Sequence, residues 1–215
     1  MLLNIFGRKE KKEQVTKESI IQEILKKFEG GYANHPRDKG CETYSGIARK
    51  CWPRWVGWLI IDELKSWKYK LKTRKDWREF TKVLMVDNDL HRLVMEFYIE
   101  NFWDSIRLDD IPSIKIQHEM FDTGVNCGTG TISKMLQRAL NALNRNNDVR
   151  LYKDLVVDGA LGAKTFNAIN KLLPDDEICL LKTLNGEQYI RYSKIIKKDP
   201  TQEIFWRSWL RRVSF

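Results

Sequence analysis

No hydrophobic run in the chain approaches the roughly 20 residues that a membrane span needs. The most apolar stretch, WVGWLIIDEL at 55–64, has the length of a buried helix, so stable membrane insertion is not expected. Paired cysteine spacing is missing as well. The four cysteines stand at 41, 51, 127 and 179, and without a CxxC the common zinc and redox motifs are excluded. No metal ligand set and no organic cofactor is expected. Alternating strand patterns are almost absent, as are internal repeats and low-complexity tracts. No zinc-finger, RNA-binding-sheet or basic-zipper signature occurs, which removes the usual nucleic-acid readers. The opening MLLNIFGRKEKKEQ puts a six-residue apolar start before its charges. That is too short, and in the wrong order, for a secretory leader, so the expectation is a cytoplasmic chain with free thiols.

What is present fits a folded protein with a real core: 215 residues, 42% hydrophobic, 31% charged and eight tryptophans. Net charge is +9 with a pI near 9.3. A surplus of this size steers a protein toward polyanions, an anionic bacterial wall among them, though it also serves solubility alone. Apolar residues recur at helical spacing through most of the chain. The first helix is expected over 16–29, with Ile20, Ile21, Ile24, Leu25 and Phe28 on one face, Thr16 as its cap and Gly30-Gly31 as its stop. Further helices are expected over 55–67, 76–86, 88–104, 112–124, 129–144, 162–173, 175–197 and 200–213. Between the first two lies an irregular loop with a short hairpin. GVNCGTG, around residues 124–130, is the candidate hinge between halves. Leu136, Leu140 and Leu143 read as core.

Glu29 closes the first helix at an electrostatically poor place. The helix dipole puts partial negative charge there. Glu29 also continues the stripe Ile21, Leu25 at i+8, toward the interior. Both effects raise a carboxyl pKa, as a general acid for glycoside hydrolysis requires. The plain alternative is a helix-end glutamate turned to solvent or capping an amide. Asp38 and Thr43 follow on the glycine-broken loop. A chain reversal at the glycines would bring them back toward Glu29, Asp38 to stabilise charge or position water and Thr43 to hold that water. Otherwise Asp38 makes an Asx-turn and Thr43 is an ordinary loop hydroxyl. Asp122 and Asn126, at i and i+4, either line the cleft or fix the hinge. Asp158-Gly159 with Gly162 forms a tight turn launching a helix.

Glu29-Gly30-Gly31-Tyr32, Asn34-His35-Pro36, Asp38, Gly40-Cys41, Thr43 and Gly46-Ile47 together resemble the muramidases of glycoside hydrolase family 108, which include phage endolysins. The likeness continues through FDTGVNCG (Phe121, Asp122, Val125, Asn126, Gly128), LQRAL at 136–140, DGALGAKT at 158–165, and Phe205, Trp209 and Arg212 near the end. It implies a mainly α, lysozyme-like helical fold with a short irregular or β-hairpin loop after the first helix. The implied organisation is an N-terminal tail over 1–15, a catalytic region over 16–123 and a helical peptidoglycan-binding-like region over 124–213, packed as one unit. The implied activity is cleavage of the β-1,4 bond between N-acetylmuramic acid and N-acetylglucosamine, with Glu29 as acid. Tyr32, Asn34, Asp122 and Asn126 are the implied contacts to glycan strands. His35 stands where the family has aspartate and Cys41 where it has glycine.

Release through a holin-like pore, by lysis or with a virion would bring the enzyme to the wall. Three rivals remain from the sequence: a wall peptidase or amidase using Cys41 or Cys51 with His118, a non-catalytic wall-binding or phage structural protein, and a charge-driven nucleic-acid binder.

Overall fold

A computed structural model of the chain describes residues 15–28, 30–34, 42–68, 71, 73–146 and 149–214. Helix α1, Lys17–Phe28, starts on a reciprocal cap. Ser19 N donates to Thr16 Oγ1 (3.2 Å) and Thr16 N donates to Ser19 Oγ (3.0 Å), satisfying amides that lack a partner inside the helix. Its apolar stripe, Ile20, Ile21, Ile24 and Leu25, is buried. Three short antiparallel strands follow in the order β1-β2-β3: Ala33–Asn34, Glu42–Tyr44 and Ile47–Ala48. Ser45 and Gly46, both at positive φ, join β2 to β3 in a two-residue turn of the kind that matches strand twist.

Helices α2 (Gly57–Lys68), α3 (Arg74–Met85) and α4 (Asn88–Tyr98) follow; α4 packs on α1, α2 and α3, and α3 also meets β1. Thr73 and Asp76 form a capping box on α3, and Asp87 caps α4. The helix expected to reach residue 104 changes character at Ile99–Trp103, which is π-helical, and then tightens to 3-10 over Asp104–Ile106. These altered turns seat Trp103 in the interior, where its Nε1 donates to Asp109 Oδ1 at 2.9 Å.

α5, Ile114–Cys127, and α6, Thr129–Ala142, are separated by Gly128 alone. Gly128 sits at φ +90, ψ 142, a conformation that favours glycine. The hinge expected at GVNCGTG is therefore a one-residue corner, and a division after residue 123 falls inside α5. Beyond α6, a small pair, β4 (Arg145–Asn146) and β5 (Val149–Arg150), was not anticipated. The segment after it is pinned to α6 by side-chain amides. Asn141 exchanges two bonds with the Leu155 backbone (2.7 and 2.8 Å), and Asn144 bonds Tyr152 N and O (3.0 and 2.7 Å).

The helices expected over 162–173 and 175–197 form one run, α7, Ala163–Lys198. Pro174 cannot donate within a helix, and the interruption shrinks to one non-helical residue, Asp176. A 3-10 turn over Pro200–Phe205 and α8, Trp206–Leu210, end the described chain. The architecture is mainly α with a lysozyme-like placement of a small sheet after the first helix. One buried cluster runs from Ile20 through Phe80, Leu90, Trp103, Phe121 and Leu140 to Ile169 and Leu184, and it includes Leu136. No described helix is long and apolar enough to cross a membrane.

Candidate active site

Glu29, Asp38, His35 and Cys41 lie outside the described residues; the frame on either side of them does not. α1 ends at Phe28, and the chain leaves it through Gly30 and Gly31. A Cβ at Gly31 would lie 2.2 Å from Thr81 Cγ2 on α3, so a larger residue there would force the two segments apart. Tyr32 N donates to Thr81 Oγ1 at 2.9 Å, and that hydroxyl donates to Trp77 O at 2.8 Å. The exit from α1 is thus clamped to α3. Register then sets Thr43, in the middle strand, opposite both Ala33 and Ala48. Strand alternation puts Glu42 and Tyr44 on the buried face and leaves Thr43 half-exposed on the other.

Under the sheet lies a charge network centred on Glu42. Glu42 is only 8% exposed. It accepts from Tyr32 Oη at 2.8 Å and from Lys65 Nζ at 2.5 Å, with Arg49 Nε 2.8 Å away. Arg49 also grips Asp62 with two nitrogens (3.0 and 2.7 Å), and Lys65 bridges to Asp62 at 2.7 Å. Hydrogen bonds from Arg49 hold the Asp62 carboxyl below its usual range, against the smaller effect of burial, with Lys65 assisting. Burial first, and the Glu42 carboxylate second, push the Tyr32 phenol upward. The Arg49 guanidinium lies 4.5 Å over the Trp58 ring. β1, β2 and α2 are thereby locked together. The signal available in the sequence was the alternation Glu42-Thr43-Tyr44, together with Asp62 and Lys65 at i, i+3.

The expected contacts separate in space. Asn34 is exposed on β1, whereas Tyr32 is buried beneath the sheet with its hydroxyl on Glu42. Asp122 and Asn126 face α7 and the chain end. Asp122, 3% exposed, accepts from Arg212 Nη1 at 2.6 Å, and Asn126 Oδ1 accepts from Tyr192 Oη at 2.8 Å. Tyr32 and Asp122 are therefore interior residues whose described contacts are protein groups.

A cavity of ≈ 370 Å³ opens beside the end of α1, bounded by Leu25, Lys26, Gly30, Gly31, Tyr44, Ser45 and His91. A second groove, ≈ 700 Å³, carries Trp52, Trp55, Phe97, Glu96 and Glu100. Trp58 is buried, its Nε1 donating to Trp52 O at 2.8 Å; Trp52 is 38% exposed and edge-on to Phe97. Cys51 also lines this groove, whose walls include no histidine, while His118 lies 3.7 Å from Glu23. Among the described residues no group of three His, Cys, Asp or Glu could hold a metal ion.

The model of the family described as Glycosyl hydrolase 108 matches residues 21–128, just over half the chain, from within α1 to the Gly128 corner. The chain belongs to glycosyl hydrolase family 108. A second model, described as a Predicted Peptidoglycan domain, matches residues 131–214. Among solved structures, "Structure of Brucella abortus SagA" matches this family 108 chain with a TM-score of 0.53 and 23% identity, over 90% of this chain and 86% of that one. That likeness is one of fold. A comparison with curated proteins finds no match. Family membership makes the chain a glycoside hydrolase, and the second domain makes peptidoglycan its polymer.

Proposed function

We propose that this family 108 hydrolase is an N-acetylmuramidase that cleaves the β-1,4 bond between N-acetylmuramic acid and N-acetylglucosamine, with Glu29 as general acid. The observation that carries the reading is the family match across 21–128, which contains Glu29 in the sequence and, just after it, Gly31 and Tyr32 held against Thr81. A carboxyl that follows the last residue of α1 in the chain meets the negative end of the helix dipole and is disfavoured as an anion. Held protonated, it gives its proton to the departing glycosidic oxygen. Asp38 stabilises the positive charge that develops on the sugar or orients water, and Thr43 holds that water on the open face of β2. Asn34 touches the glycan, while Tyr32 supports the sheet from inside through Glu42.

The test is Glu29→Gln in the full chain. After a circular dichroism check of folding, the release of reducing sugar from purified peptidoglycan is measured. A loss of at least 100-fold is expected, in line with the general range for a removed acid. Full activity would sink the assignment. Asp38→Asn and Thr43→Ala are expected to lose less.

A further inference from the structure

α6 and α7 leave a groove of ≈ 730 Å³ between them, lined by none of the residues that bound the cavity at the end of α1. Five cations and two carboxylates line it. Both carboxylates are already engaged. Glu187 takes a bidentate contact from Arg138 Nε (3.0 Å to each oxygen), and Asp158 accepts from Gln137 Nε2 and Ala160 N (2.9 and 2.8 Å). Lys194 and Lys198 are exposed with no carboxylate within ion-pair distance among the described residues, while exposed Lys134 lies beside the Asp158-Gly159 turn and, after the hydrogen bonds from Gln137 and Ala160, helps hold the Asp158 carboxyl below its usual range. The Nε of Arg191 is buried without a hydrogen-bond partner.

On α7, Arg191, Lys194 and Lys198 recur at three and four residues, so they share one face and span about 10 Å. Across from them Lys134 projects from the second turn of α6, near a helix start with no side-chain cap. Apolar Ile190 and Ile195 alternate with these cations along the same wall.

This lining selects among ligand chemistries. Among the described residues no aromatic ring lines the groove, so they offer no platform for stacking on sugar faces. A phosphodiester chain would charge every unit and leave the isoleucines facing phosphate. A short peptide carrying carboxylates between methyl-bearing residues matches both the cations and the apolar strips.

We infer that the groove binds the carboxylate-bearing stem peptide of peptidoglycan. The chain would then hold the polymer by its peptide with α6 and α7, while the sheet region meets the sugar. This inference rests on the reading of the chain as a peptidoglycan hydrolase.

The experiment titrates the full chain, wild type and Glu29→Gln, with a synthetic Ala-γ-Glu-Lys stem tripeptide by isothermal calorimetry. The same tripeptide amidated at its carboxylates, and inorganic polyphosphate, are run beside it. Binding of the free tripeptide should weaken as salt rises. It should fall at least tenfold in Lys194→Glu/Lys198→Glu, and at least tenfold for the amidated peptide. Lys134→Gln, a milder change on the opposite wall, should give a smaller loss in the same direction and covers the case of a misfolded double variant. Equal binding of free and amidated peptide, undiminished binding by both sets of variants, or polyphosphate that displaces the peptide would each overturn the inference. Release of reducing sugar is followed in parallel. Peptide binding without sugar release supports the groove and tells against the muramidase reading; sugar release without peptide binding does the reverse.

Discussion

Glu42 and Asp122 are both carboxylates facing arginines, but their surroundings differ. Glu42 belongs to a network at the protein's edge, whose other members, Arg49, Asp62 and Lys65, keep part of their surface in water. Asp122 and Arg212 are both buried, side chains 5% and 6% exposed, in a band of polar groups between α5 and the C-terminal helices. That band holds Glu119, Thr123, Asn185 and Gln188. Thr123 Oγ1 donates to Glu119 Oε1 (3.0 Å) and accepts from Gln188 Nε2 (2.8 Å). The outer network fixes a strand beside the candidate active site. The inner band joins the segments matched by the two family models. A hydrated network tolerates the loss of a member, because water replaces it; a dry one does not.

The sharpest way to break this contrast is Arg212→Ala. It leaves Asp122 buried without its cation and is expected to lower stability by about 3–5 kcal/mol, read from urea unfolding. A loss under about 1 kcal/mol would mean that the inner band behaves like the outer one.

Glu119 supplies the next effect. Burial, with a smaller push from the Asp122 charge, raises its carboxyl to about 7 against bonds from Thr123 and Asn185. Its ordinary value is 4.5. Between these values the folded chain keeps a proton that the unfolded chain has released. The contribution is therefore complete below pH about 4.5, declines as pH rises, and is gone above about 7, a change of roughly 3 kcal/mol. Glu119→Gln should flatten this part of the stability–pH curve. A slope unchanged in the variant would assign it elsewhere.

Glu42→Gln is expected to cost about 2 kcal/mol, since two cations and a phenol lose a charged acceptor but Asp62 stays with Arg49 and Lys65. Thermal unfolding and sugar release together check it, because a shifted sheet would disturb Thr43. Lys82→Ala, which removes an exposed i,i+3 pair with Glu79, should change stability by no more than about 0.5 kcal/mol. Parity between these two variants would show that the outer network is merely decorative.

Local order was legible in the sequence wherever it came from local spacing. Ile20, Ile21, Ile24 and Leu25 announce α1, Thr16 its start, and Ser45-Gly46 falls within the loop read as a hairpin. Pairings across long separations were not. Nothing near Asp122 points to Arg212, 90 residues later, and Glu42 reads as a surface residue until its strand alternation is weighed. Pro174 reads as a helix end, yet packing carries α7 past it. For the site, the helix-end position of Glu29 and the loop that follows it singled out Glu29, Asp38 and Thr43, and the resemblance then matched Glu29 to the family's acid. The clamp through Gly31 and Thr81 emerges only from a close approach between chain segments that no spacing rule contains.

Gly128 has a mechanical consequence. A single residue joins two 14-residue helices that pack on each other and on α7, so the groove between α6 and α7 is held against α5 by packing on both sides. Were the stem peptide captured between α6 and α7 and the sugar cut beside the sheet, as proposed above, the molecule would be a gauge. The offset between the residue gripped and the bond cut would be set by the fold and not by diffusion. Fragments released from an uncrosslinked strand would carry that offset as a preferred length.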